Sequence, residues 1–116
     1  MKTTLCAIRD MYRSICEFEV KFQQAYNLSL NEGMLLCSLD TEKLTAGKLA
    51  ELLGLSLSNT SKIIKSAEQK KFIKRTMGDS DKRQFFFTLT IEGKKRLDTM
   101  KNERMDIPEK LRTLVG

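Results

Sequence analysis

Apolar residues at the start of the chain recur in steps of three, four and seven: Leu5, Ile8, Tyr12, Ile15, Phe22 and Tyr26, with Met11, Phe18 and Ala25 widening the stripe. That period predicts one long amphipathic helix over Leu5–Tyr26. A terminal helix with so wide a stripe needs a partner surface, and Leu5, Ile8, Tyr12 and Ile15 are read as a dimerisation face, the alternative being intramolecular core. Ser29-Leu30-Asn31-Glu32 then has the S-x-x-E form of a capping box, with Ser29 as N-cap and Glu32 reaching back to its amide. It opens a short helix in which Met34, Leu35, Leu36, Cys37 and Leu39 are expected to be largely buried. Asp40-Thr41-Glu42-Lys43 reads as a polar loop. Thr45 is an N-cap for Ala46–Leu53, and Gly54 stands where that helix must stop in a left-handed backbone. Ser56 caps the next helix, which runs to about Lys70 with Ile63, Ile64 and Ala67 inward. Two short helices joined by a tight, glycine-containing turn form a helix-turn-helix.

After Lys70 the period changes to two. Phe72–Met77 and Gln84–Leu89 are strand-forming runs, and Gly78-Asp79-Ser80-Asp81 between them supplies turn residues, so a β-hairpin is predicted directly after the second helix. A further helix is expected from Ile91 to about Arg104, and a short last one over Pro108–Leu114. The fold class is therefore mainly α with a small β-hairpin, a winged helix-turn-helix with terminal dimerisation helices. The length of 116 residues fits a single domain. A helix-turn-helix followed at once by a hairpin can place its second helix in a major groove, so residues 29–97 are read as a DNA-binding winged helix, and 1–28 and 98–116 as dimerisation helices.

Charge sharpens this picture. The formal net charge is +6, and from Leu44 to Arg96 twelve basic residues stand against five acids, so the middle of the chain carries +7. Such concentration favours an anionic partner over a merely solvated basic surface. Three cysteines, Cys6, Cys16 and Cys37, lack the C-x-x-C spacing of a zinc site and the even number of a disulfide framework, and read as reduced thiols. There is no histidine, no glycine-rich phosphate loop and no cluster of metal ligands, so no catalytic residue, metal or cofactor is assigned and an enzyme is not expected. No signal-peptide or membrane-spanning stretch is seen, and a cytoplasmic protein without a membrane partner is expected.

The second helix of the pair has the surface chemistry for a duplex. Its first turns carry Ser56, Ser58, Asn59, Ser61, Lys62 and Lys65, with no acid between Ser56 and Lys65. Hydroxyl and amide groups can bond base edges and phosphates, and lysines neutralise phosphates. Good helix starts explain one or two such residues, but not a run of six without a carboxylate. The hairpin tip adds Lys82 and Arg83, cations suited to a flanking minor groove.

At these residues the sequence resembles the MarR-type regulators. Leu28-Ser29-Leu30-Asn31-Glu32 with Leu35 and Leu39, Leu44-Thr45, Leu49-Ala50 and the run Leu55–Arg75 look like that family's entry and helix-turn-helix. Asp81-Lys82-Arg83 followed by Leu89-Thr90-Ile91-Glu92-Gly93 is similar to its wing signature, D-x-R, five residues, L-T-x-x-G. The resemblance implies a homodimer on double-stranded DNA with a pseudo-palindromic operator, and a small phenolic or other lipophilic effector. It implies that Arg83 enters the minor groove and that Asp81 supports it in the wing. Against the family's pattern, Lys71 stands in place of a glycine closing the recognition helix, Ala67 in place of a leucine, and the chain is short, which trims the terminal helices. Some relatives sense peroxide through a cysteine near the first helix, which makes Cys16 the candidate redox thiol; its neighbours Arg13 and Glu17 cancel in charge, and an inert buried thiol is the alternative. The competing reading of the whole chain is a winged-helix module for protein contacts or for nucleic acid without sequence preference.

Overall fold

The computed structural model of the chain describes residues 3–78, 84–102, 107–109 and 112. The chain forms two compact units, one holding the first helix and the described residues near the C-terminus, the other running Asn31–Asn102.

In the first unit, α1 (Thr4–Tyr26) is one uninterrupted helix. Thr3 caps it by accepting from the Cys6 amide at 3.2 Å, and Asn27 ends it in a left-handed backbone, φ +56°. Phe18, Phe22 and Tyr26 follow at four-residue spacing, their ring centroids 6.1 and 5.0 Å apart, so the C-terminal half carries an aromatic ridge. Phe22 and Tyr26 are buried, whereas Leu5, Ile8, Met11, Tyr12 and Ile15 of the N-terminal half are all exposed. The short helix expected over Pro108–Leu114 and the C-terminal dimerisation segment fall largely outside the described residues.

In the second unit, α2 (Leu30–Ser38) buries Leu35 and Leu36, with Leu39 just beyond its end. Met34 and Cys37, expected to be buried with them, are exposed. At 100° per residue, Glu32, Leu35, Leu36 and Leu39 share one side of the helix; Met34 and Cys37 fall on the other, and a nine-residue helix with one covered side cannot bury both.

α3 (Ala46–Leu53) and α4 (Leu57–Gln69) have the predicted caps. Thr45 accepts from the Lys48 amide at 3.2 Å, Ser56 from the Asn59 amide at 3.1 Å, and Gly54 adopts φ +67° between them. The Gly54 and Leu55 amides donate back to Glu51 and Ala50, which closes α3 in a Schellman turn. The same turn closes α4: Lys71 and Phe72 donate to Glu68 and Ala67 at 2.9 and 3.1 Å. Lys71 occupies the left-handed position, φ +66°, where the family pattern has glycine. This turn takes up Phe72, so the first strand, β1 (Ile73–Met77), starts one residue later than its composition suggests.

β1 pairs antiparallel with β2 (Phe85–Leu89), Arg75 facing Phe87 across the ladder. Leu44, at the end of the loop after α2, exchanges two backbone hydrogen bonds with Phe87, 2.8 and 3.2 Å, and so extends the sheet by a bridge. α5 (Ile91–Asn102) follows the hairpin. Thr90 explains the L-T-x-x-G pattern. Its hydroxyl donates to the Lys71 carbonyl at 2.7 Å and accepts from the Gly93 amide at 3.0 Å, capping α5 onto the end of α4. Gly93 lies so close to β1's approach that a Cβ there would stand 1.9 Å from the Phe72 carbonyl oxygen. The core of this unit is Leu35, Leu36, Leu49, Ile64, Ala67, Ile73, Phe87 and Leu97, all nearly inaccessible.

Candidate nucleic-acid interface

α4 divides by face. Thr60, Ile64 and Ala67 are buried, with Ile63 half-buried beside them; the Thr60 hydroxyl donates to the Ser56 carbonyl at 2.8 Å, so a polar residue sits in the core with its hydroxyl paired. Ser58, Ser61, Lys62 and Lys65 fall within an arc of about 100° on the other side, and with Ser56 and Asn59 all six predicted contact residues are exposed. The Ser56 oxygen accepts one hydrogen bond as the cap, which leaves its hydroxyl proton and a second lone pair to offer. Lys82, Arg83 and Asp81, the predicted wing residues, lie outside the described residues.

A groove of about 400 Å³ runs between the start of α3, the first half of α4 and β2, lined by Thr45, Gly47, Leu57, Ser61, Arg75 and Phe85 among others. Arg75 fixes this junction. Its guanidinium donates to both carboxylate oxygens of Glu68 on α4, 2.9 and 3.2 Å, and lies 5.5 and 5.7 Å from the ring centroids of Phe87 and Phe85 on β2. The hydrogen bonds to Glu68, and then its charge, hold the Arg75 proton more firmly than in free arginine. The planar fork suits both tasks at once, which lysine would not. In the sequence Arg75 stands out as a cation within a strand-forming run, seven residues after the helical acid Glu68, which is the local signal for this pairing.

Two further carboxylates are absorbed by the framework. Glu32, almost wholly buried, accepts from Ser66 Oγ and Lys70 Nζ of α4, both at 2.9 Å, which ties α2 to the second half of α4. Asp40 accepts from Lys94 Nζ at 2.7 Å and from Lys101 of α5, and Lys94 also meets Asp98 at 3.2 Å. The hydrogen bonds from Lys101 and then Lys94 hold the Asp40 carboxyl below its ordinary range, and the bonds to Asp40 and Asp98 raise Lys94. Among the described residues no carboxylate lies within ion-pair reach of Lys62, Lys65, Lys71 or Lys74.

On α1, Leu5, Ile8, Tyr12 and Ile15 lie within an arc of about 80° and are 78%, 55%, 67% and 42% exposed. Cys6 and Cys16 are half-buried and Cys37 exposed, all three free thiols. No group of three or more potential metal ligands occurs among the described residues, and none of their helices is long and apolar enough to cross a membrane.

Residues 28–85 match the model of the MarR family. Over 96 residues the chain is 31% identical to YwaE of Bacillus subtilis (strain 168), an uncharacterized HTH-type transcriptional regulator, a match covering 78% of this chain and 56% of that protein. The chain thus spans little more than half the length of this curated relative. In fold it is similar to the transcriptional regulator BldR from Sulfolobus solfataricus, with a TM-score of 0.77 and 25% identity over 96% of this chain and 76% of that one. It is also similar to MepR of S. aureus in its complex with DNA, with a TM-score of 0.66 and 20% identity over 82% and 79% of the two chains.

Proposed function

We propose that this chain, which belongs to the MarR family, is a sequence-specific regulator that grips double-stranded DNA as a homodimer, with α4 in the major groove and the β1–β2 hairpin beside it. One observation carries the reading: Ser58, Ser61, Lys62 and Lys65 stand exposed on one face of α4, opposite its buried ridge, with no carboxylate among them. The free amides of the α4 first turn add partial positive charge at the end that meets the bases. MepR, similar in fold, is known in complex with DNA, and YwaE is described as a transcriptional regulator, which supports the same use here. A single winged helix reads too few bases to find one site in a genome, and the bare apolar arc at Leu5, Ile8, Tyr12 and Ile15 is suited to bury itself against a second copy. Two copies related by a two-fold axis call for a pseudo-palindromic operator.

Selection from a random DNA pool tests this. The expected product is two inverted half-sites about one helical turn apart; a pool that stays unenriched while the protein still binds bulk duplex would instead assign a module without sequence preference. On the same reading a small lipophilic or phenolic effector loosens the complex, and titration of a simple phenolic acid that leaves DNA affinity unchanged removes that part. Arg83 in the minor groove with Asp81 in support, Lys82 on the backbone, and Cys16 as an oxidation sensor complete the proposal. Cys16 is tested by mild peroxide, which should weaken DNA binding in the wild type and spare Cys16→Ser.

A further inference from the structure

We infer that Leu57 is a specificity-determining residue that reads the C5-methyl group of a thymine; the inference rests on the DNA-binding reading above. Leu57 is the first residue of α4 and is 57% exposed. It stands two turns before Ile64 on the hairpin-facing side of the helix, yet the described residues of the hairpin leave it exposed: Leu57 and the half-bare Phe85 (44% exposed) line the same groove. The result is an apolar strip alongside the hydroxyls of Ser58 and Ser61, at the end of the helix whose residues meet base edges.

The chemistry of the duplex then identifies what the strip can receive. Phosphates and the hydrogen-bonding edges of guanine, cytosine and adenine present charge, donors or acceptors, and meeting them with leucine would leave those groups unpaired. Thymine alone among the four bases carries an apolar group into the major groove. A methyl seated against Leu57 removes apolar surface of both partners from water, while Ser58 and Ser61 remain free for polar edges nearby. Phe85 walls the groove, so a bulkier contact from the same side is disfavoured.

The test uses the full chain and the half-sites recovered by selection from random DNA. Each thymine is replaced in turn by deoxyuridine, which lacks only the methyl. Wild type is expected to lose affinity about four-fold per half-site at one thymine position, the effect of one methyl buried, and to ignore uracil elsewhere. Leu57→Ala should bind the thymine and uracil operators equally, with a melting temperature like that of wild type, since Leu57 contributes little to the core. Uracil tolerated at every position by wild type, a half-site without thymine, or a Leu57→Ala protein as sensitive as wild type each overturn the inference. A pool that enriches no sequence overturns the DNA-binding reading itself, a distinct and separately visible failure.

Discussion

Replacing Lys71 by glycine should stabilise the protein although it removes a side chain and adds none. Lys71 is held at φ +66° by the turn that ends α4, where its amide donates to Glu68, its carbonyl accepts from Thr90, and the next amide donates to Ala67. A residue with a Cβ loses about 1–2 kcal/mol in that conformation. Glycine is free of this loss, but it gives the unfolded chain more freedom, worth about 0.4–1 kcal/mol in the other direction. The Lys71 side chain is exposed, so no packing is lost. The difference is a gain of about 0.5–1 kcal/mol, or about 2–4 °C in melting temperature for a domain of this size. Gly54 is the mirror control: it has φ +67° with nothing within 4 Å of a built Cβ, so Gly54→Lys isolates the conformational cost and should lower the midpoint. Lys71→Asn, which tolerates the left-handed region and lacks the charge, separates conformation from electrostatics. Calorimetric midpoints of the three variants decide it. Lys71→Gly melting at or below the wild-type temperature refutes the reasoning.

Other consequences are equally open to measurement. Gly93→Ala should cost about 3 kcal/mol or prevent folding, because the new Cβ meets backbone that is itself bonded to Thr90 and cannot withdraw; a near-neutral melting shift contradicts this. Asp40 binds its proton less readily folded than unfolded, so it stabilises the fold above the ordinary carboxylate range and that contribution is lost as pH falls through its lowered pKa. Asp40→Asn should therefore be less stable than wild type at neutral pH, with the gap in urea midpoints closing at acid pH; a gap of constant size would show that the lysines contribute nothing there. Lys65→Ala should weaken binding to all duplexes alike and lower the salt slope by about one, whereas Arg83→Ala should cost about 1–3 kcal/mol on the operator and less on random DNA. Equal losses on both duplexes would place Arg83 on the phosphates alone.

Local signals in the chain were the legible ones. Thr45, Gly54 and Ser56 act within three or four residues, and each sits where composition places it. The exposed character of Ser58, Asn59, Ser61, Lys62 and Lys65 followed from the helical period set by Ile64 and Ala67. The strained turn at Lys71 was visible through the departure from the family's glycine, since only a left-handed position makes that glycine informative. Contacts between distant segments were not legible. Leu44 pairs with Phe87 across 43 residues, and Glu32 meets Ser66 and Lys70 from another helix; nothing in the local pattern distinguishes these partners from solvent. The exposed Met34 and Cys37 were missed for a related reason: a run of apolar residues in a short helix shows hydrophobicity but not which side finds cover.

The cationic face follows from the excess of basic residues in the middle of the chain together with how the framework disposes of its acids. Within 31–102, Glu32, Asp40, Glu51, Glu68, Glu92 and Asp98 each pair with a lysine or arginine of the same unit. Glu42 is the one described acid of that segment without such a pair. Each pairing consumes a negative charge and sets an element: Glu32 holds α4 to α2, Glu68 holds β1 to α4, and Asp40 holds α5 to the end of α2. The exposed pairs among these, such as Lys48–Glu51 and Lys95–Glu92, add little stability singly. The greater effect of the pairing is on the field outside, because a carboxylate neutralised within the unit no longer opposes the approach of a phosphate. Lys62 and Lys65 stay unopposed for that reason, and the same pairs keep the helix that carries them rigid against the hairpin. Positioning and charge at the interface are thus two results of one arrangement, so breaking Glu68–Arg75 would both loosen the junction and return a free carboxylate to its edge.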